Sequence, residues 1–168
     1  MAIRRILQLG DPLLRVISAP VTDFAAAQAV LADLDDTLGE FRRTHGFGRG
    51  ISAIQIGAPT RVILLRFEGT LYELINPTYA AQSPEMFELW DDCFSFPNLL
   101  VRLQRHCSVR IRYQDRHAQH HELTAEGSFS ELIQHEMDHL DGILAVDRAP
   151  STALATRDQW LRQQRHRS

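Results

Sequence analysis

Cysteine is scarce in this chain: 168 residues carry only two, Cys93 and Cys107. Two thiols cannot build the disulfide framework of a small secreted scaffold, and the shortage favours a reducing compartment. Long apolar runs are also missing. Nothing approaches the ~18 consecutive apolar residues of a membrane span, and the N-terminus has no apolar signal-peptide core. The expectation is a cytoplasmic protein with no membrane attachment. Excess charge is lacking too. Lys and Arg total 18 against 21 Asp and Glu, a net charge of −3, so nothing recommends a specific nucleic acid partner. No internal repeat or low-complexity linker divides the sequence. One domain spanning 1–168 is expected, large enough for a real core. Its basic tail from about residue 150 reads as a frayed end or surface helix, with a weak, transient contact to ribosomal RNA as the alternative.

What the chain does have is Gln134-His135-Glu136-Met137-Asp138-His139-Leu140. On a helix, positions i and i+4 lie on one face, one turn apart. His135 and His139 can therefore bind one metal ion, while Glu136 sits beside it and can handle a proton. The pattern points to a hydrolase that activates water. Its plain alternative is two exposed histidines on an ordinary helix. A catalytic site of this kind keeps three protein ligands and one open position, and candidates for the third are few. His117, His120 and His121 read as a polar hairpin tip. Cys107 precedes the alternating Val109-Arg110-Ile111-Arg112 and reads as a buried strand thiol. Cys93 lies among aromatics and acids just before Phe96-Pro97. Set on a strand beside the helix, it could ligate as a thiolate.

Three segments resemble motifs of the peptide deformylases, which remove the formyl group from the first methionine of new bacterial proteins. Gly48-Arg49-Gly50-Ile51-Ser52-Ala53-Ile54-Gln55 is similar to G-x-G-x-[AS]-A-x-Q. Asp91-Asp92-Cys93-Phe94-Ser95 is similar to E-G-C-L-S, and Gln134 to Gly142 fits Q-H-E-x-D-H-L-x-G throughout. Gly10-Asp11-Pro12-Leu13-Leu14-Arg15 and Leu74-Ile75-Asn76-Pro77 add support, so the resemblance runs from residue 9 to about 148. It implies Cys93, His135 and His139 as ligands of one divalent ion, Fe(II) in the cell, although such donors also suit zinc, nickel or cobalt. The implied partner is a formylated peptide N-terminus. Hydroxide would attack the formyl carbon while Glu136 carries the water's proton to the leaving amine. The Gln55 side-chain amide and the Phe94 backbone N–H would meet the oxyanion. Gly50 would let the backbone approach the substrate. Two other classes compete: a related metalloamidase for a different N-formyl or N-acyl compound, and a non-catalytic relative that binds N-termini. The intact Gln55, Cys93, His135, Glu136 and His139 argue against the second.

The departures carry information as well. Asp92 stands where the family has glycine, Asp91 where it usually has glutamate, and Arg49 where it usually has an apolar residue. Ser128, Leu132, His135 and His139 share one helical stripe, with Glu131 at its border. Gly48, Arg49, Gly50, Asp91, Ser128, Glu131 and Leu132 are the expected substrate-binding residues. The last three would wall the pocket for the first side chain. A competing reading spends Ser128 and Glu131 on a capping box. Because Arg49 and Glu131 carry opposite charges, a pair between them is expected to shorten or polarise a methionine slot.

Punctuation and periodicity predict an α+β fold, with small antiparallel sheets around a central metal-binding helix as the resemblance implies. Asp11-Pro12 opens a short helix. Asp23 caps a longer one to about Thr44, with Val30, Leu31, Leu34, Leu38 and Phe41 on one face. Strands are predicted over 61–67, 71–79, 87–96, 107–113 and 121–125. The metal helix runs from about Ser128 to Leu140 and ends at Gly142.

Overall fold

The structure, a computed structural model, describes residues 2–165. A 3-10 turn, Pro12–Arg15, opens where Asp11 accepts a hydrogen bond from the Leu13 N–H. Helix α1, Phe24–His45, starts where the Asp23 carboxylate accepts from the Ala26 N–H. It stops at Gly46, whose φ of 77° few other residues tolerate. Its inner face buries Ala27, Leu31, Leu34, Leu38 and Phe41. Burial of each large apolar side chain there stabilises by roughly 1.5–3 kcal/mol.

Among the described residues eight strands follow: β1 Gly50–Ser52, β2 Val62–Phe67, β3 Thr70–Gln82, β4 Met86–Asp92, β5 Leu99–His106, β6 Ser108–Gln114, β7 His120–Glu126 and β8 Leu154–Thr156. They form two antiparallel sheets, β1-β2-β3-β6-β7 and β4-β5-β8. The helices α2 Gly127–Leu140, α3 Ala145–Arg148 and α4 Arg157–Arg165 complete the elements of the described residues. Alternation along β2 explains the layering. Val62 and Leu64 face α1, while Ile63 and Leu65 face α2 together with Phe129, Leu132, Ile133, Met137 and Leu140. Helix α2 is buried nearly all round, as a helix between two sheets must be. A third apolar cluster, with Leu14, Phe96, Val101, Leu103 and Leu144, joins the small sheet to the 3-10 turn and α3.

Several expectations need correction. The strand expected over 87–96 ends at Asp92, and Cys93 sits in the loop after it. Strand β5 was not expected at all. Its inward positions run Val101, Leu103, Arg105, and a buried arginine spoils the apolar alternation. Of the two readings of the tail, the surface helix holds over the described residues: α4 buries none of its residues, and it continues from β8, which pairs with β5. His166 and Arg167, at the end of the expected basic helix, lie outside the described residues. No helix of the described residues is long and apolar enough to cross a membrane.

Candidate active site

Helix α2 carries two imidazoles on one face, with His135 and His139 ring centroids 5.0 Å apart. The loop after β4 brings Cys93 Sγ to 3.2 Å from His139 Nε2. The donor atoms of Cys93, His135 and His139 all lie within 4.8 Å of one another, and all three residues are buried. The Ser95 N–H points at the sulfur, 3.4 Å away. Cys107 and the histidines of the β6–β7 turn take no part in this cluster.

The donor set fits a divalent ion. The Asp91 carboxylate lies 3.0 Å from His135 Nδ1, which leaves Nε2 to face the cluster. A carboxylate behind a histidine orients the ring and raises its basicity. Burial alone would depress His135, but Asp91 and Cys93 outweigh it and raise the imidazole well above its usual range. The spot between Asp91 and the thiol thus favours a positive charge, which a proton or a metal dication can supply. Burial, and then the neighbouring His135, hold His139 well below the usual range, so its ring is neutral and free to donate a lone pair.

Asp91 was expected to bind substrate. It is 3 % exposed and is not among the residues lining the cleft; its carboxylate lies behind two that are, His135 and Glu131. Arg105 Nη2 donates to it at 3.1 Å, while Nη1 donates to Asp138 at 2.5 Å. Arg148 reaches the same Asp138 carboxylate. Buried charges need such partners. Arg105 and Arg148 were not found from the sequence, because nothing local marks an arginine that points inward.

Glu136 lies on the cleft side. Its Oε2 accepts a 2.6 Å hydrogen bond from Ser52 Oγ, which also lies 3.0 Å from the Glu136 carbonyl. Burial pushes the carboxyl up to about 6, although His135 and Ser52 pull the other way. A group poised there can both accept and return a proton near neutrality. Gly50 borders the cleft and also clears space for a neighbour. A Cβ on it would lie 2.8 Å from both Glu136 Oε1 and Leu65 Cδ2, so glycine makes room for the Glu136 carboxylate. At Gly48, where φ is 128°, a Cβ would strike the Phe94 ring at 2.6 Å.

Gln55 is 1 % exposed. Its Oε1 accepts from the Ser52 N–H at 2.9 Å, which fixes the amide's orientation. Nε2 then points to Ser95 Oγ at 3.3 Å and Cys93 Sγ at 3.6 Å. Phe94 borders the same space, and its N–H has no hydrogen-bond partner among the described residues.

An open cleft of about 1130 Å³ runs over these groups. Gly48, Arg49, Gly50, Ser128, Glu131 and Leu132 all line it, beside His135 and Glu136. Arg49 Nη2 lies 2.6 Å from Glu131 Oε2, and Arg49 Nη1 donates to the Ser128 carbonyl at 3.1 Å. The Glu131 side chain is 6 % exposed and the Arg49 side chain 43 %. No capping box forms: the helix begins at Gly127, so Ser128 already lies inside it, and Glu131 bonds to Arg49 instead.

A family model described as polypeptide deformylase matches residues 3–154. This chain belongs to that family. A peptide deformylase of Rhodopseudomonas palustris (strain BisB18) is 40 % identical over 155 residues, covering 88 % of this chain and 86 % of the relative. One from Afipia carboxidovorans is 35 % identical over 153 residues, covering 88 % and 86 %. Among solved structures, the peptide deformylase of Legionella pneumophila superposes with a TM-score of 0.84 at 30 % identity, covering 99 % of this chain and 98 % of that one. That of Thermotoga maritima gives 0.82 at 30 %, covering 89 % and 99 %. Peptide deformylases are metal-dependent hydrolases, and the fold expected from the sequence is the one they share.

Proposed function

We propose that this deformylase removes the formyl group from N-formylmethionyl peptides in the cytoplasm, with Cys93, His135 and His139 holding the metal. The carrying observation is the buried thiol and two imidazoles with Glu136 beside them. A dication held there supplies Lewis acidity, which lowers the pKa of water at the site. Glu136 accepts the proton of the attacking water and later delivers it to the leaving amine nitrogen. The Gln55 Nε2–H and the Phe94 N–H are aimed where the formyl oxygen gathers charge. Gln55 needs little reorganisation, because the Ser52 N–H already holds its other end. Thiolate and imidazole donors suit Fe(II), nickel, cobalt and zinc alike; Fe(II) is the proposal for the cell.

The Arg49–Glu131 pair supports a second reading of substrate preference. An ion pair in the wall beside the reacting groups makes that pocket more polar than a methionine side chain requires. Formyl peptides with a smaller or more polar first residue should then rival formylmethionine. The test is hydrolysis of N-formyl dipeptides varied at the first residue by anaerobically prepared, iron-loaded protein, with N-acetyl controls. Turnover of formyl but not acetyl substrates is expected. Equal turnover of both would overturn the deformylase reading. A wide lead for formylmethionine would overturn the polar-pocket reading alone.

A further inference from the structure

The matched family region ends at residue 154, yet Arg157, three residues further on, lines the catalytic cleft. Its Nη2 lies 2.5 Å from Asp92 Oδ2, and its Nε donates to the Pro97 carbonyl at 2.7 Å. Its own N–H donates to the Asn98 carbonyl at 2.9 Å. The guanidinium also sits over the Phe47 ring, 4.7 Å from the centroid. One side chain thus grips both ends of the loop that carries Cys93 and Phe94, and fastens that loop to the turn after α1. Phe47 in turn meets Phe94 edge-on, with centroids 6.4 Å apart. Asp92, the acid partner, occupies the position where the family motif has glycine. Strand β8 anchors the device through its pairing with β5.

We propose that Arg157 is a positioning residue: together with Asp92 it clamps the Cys93–Pro97 loop, fixing where the thiol and the Phe94 N–H stand. Without the clamp the loop's middle keeps the Leu9 N–H on the Ser95 carbonyl, Gln8 on the Phe94 carbonyl and Phe41 against the Phe94 ring, but its two ends are freed, and misplaced donors lower turnover more than binding. The Arg157 and Asp92 side chains are 26 % and 38 % exposed, so solvent weakens the ion pair. Each partner's loss should open the loop by about fivefold, a modest factor for a partly exposed pair.

The test compares Arg157→Met, Asp92→Asn, the double variant and Arg157→Lys with wild type by hydrogen exchange of residues 93–98. Formyl-peptide hydrolysis per bound metal is measured alongside. Either single variant should speed loop exchange about fivefold, in line with the clamp's worth. Each should lower kcat severalfold while KM stays near wild type. The double variant should match the singles, and lysine should rescue only in part, since its side chain cannot span two acceptors and a ring. Unchanged loop exchange, or additive effects of the two changes, would overturn the clamp. This inference rests on the deformylase reading only for its kinetic arm. If wild type hydrolyses no formyl peptide, that reading fails while the exchange data still decide the clamp.

Discussion

Glu136 shows how a single side chain is prepared for the proton transfer proposed for it. Ser52 holds one oxygen, Gly50 clears space for the other, and burial lifts the carboxyl to about 6. Glu136→Ala leaves the three donors untouched, so metal content measured by elemental analysis should hold while turnover falls ~10²–10⁴-fold. Near-normal turnover at full metal occupancy would remove Glu136 from the proton path. Arg49 and Glu131 make an unequal pair. Arg49→Leu strands a buried carboxylate, which costs about 2 kcal/mol in denaturant unfolding. Glu131→Leu should cost clearly less, because the half-exposed guanidinium can turn to water. Burial and Asp91 raise Glu131 above 4.5 even with Arg49 present. In Arg49→Leu that rise grows. For an acid raised on folding, stability is full below the unfolded value and is lost as pH climbs through the folded one. The variant should therefore weaken from pH 4.5 upward relative to wild type, and a flat difference across pH would contradict this. The site's donors were legible because His135, Glu136 and His139 sit within one turn and Cys93 lies in a motif. Arg105, Ser52 and Arg157 were not, since each acts across the fold on residues remote in sequence.

Among the elements, the two long helices announced themselves through caps and period, and β2, β3, β6 and β7 through their composition, whereas β1, β5 and β8 did not. Strand β1 is three residues long, too short to show alternation, and β5 hides behind its inward arginine. The β6–β7 turn was legible for a local reason: Asp115 binds the chain around it. Its Oδ1 accepts from the His117 N–H at 2.8 Å and the Gln119 N–H at 3.0 Å, and its Oδ2 lies 2.9 Å from His121 Nε2. The His121 contact, aided by those amides, holds the carboxyl down at about 2. A depressed acid contributes stability above its unfolded value, here 3.8, and loses it as pH falls through the folded one. Followed by NMR, the Gln119 amide shift should titrate with a midpoint near 2. A midpoint at the ordinary 3.8 would mean the turn is not held this way.

At the scale of the whole molecule, one buried arginine ties the layers together. Arg105 comes from the small sheet, Asp91 from its neighbouring strand, and Asp138 from the helix between the sheets. Removing it leaves two acids with fewer partners, although Arg148 still serves Asp138 and His135 still serves Asp91. Arg105→Met should cost about 3 kcal/mol, since a broken buried network is expensive, and should lower Tm by about 10 °C. A calorimetric shift of a degree or two would show the network to be dispensable. The sheet order itself was beyond local patterns, because β3 lies beside β6 through pairing between residues far apart in sequence.

That separation also sets a timetable. Gly50, Cys93, His135 and Arg157 come from successive stretches spread over most of the chain. A ribosome making this protein delivers the strand beside Glu136 first, the thiol loop next, then the imidazoles, and the Arg157 side chain last. While residues 154–157 are still inside the exit tunnel, the small sheet lacks its third strand and the thiol loop lacks its outer hold. The cleft of an enzyme for freshly made chains is thus complete only once its own residue 157 has cleared the tunnel.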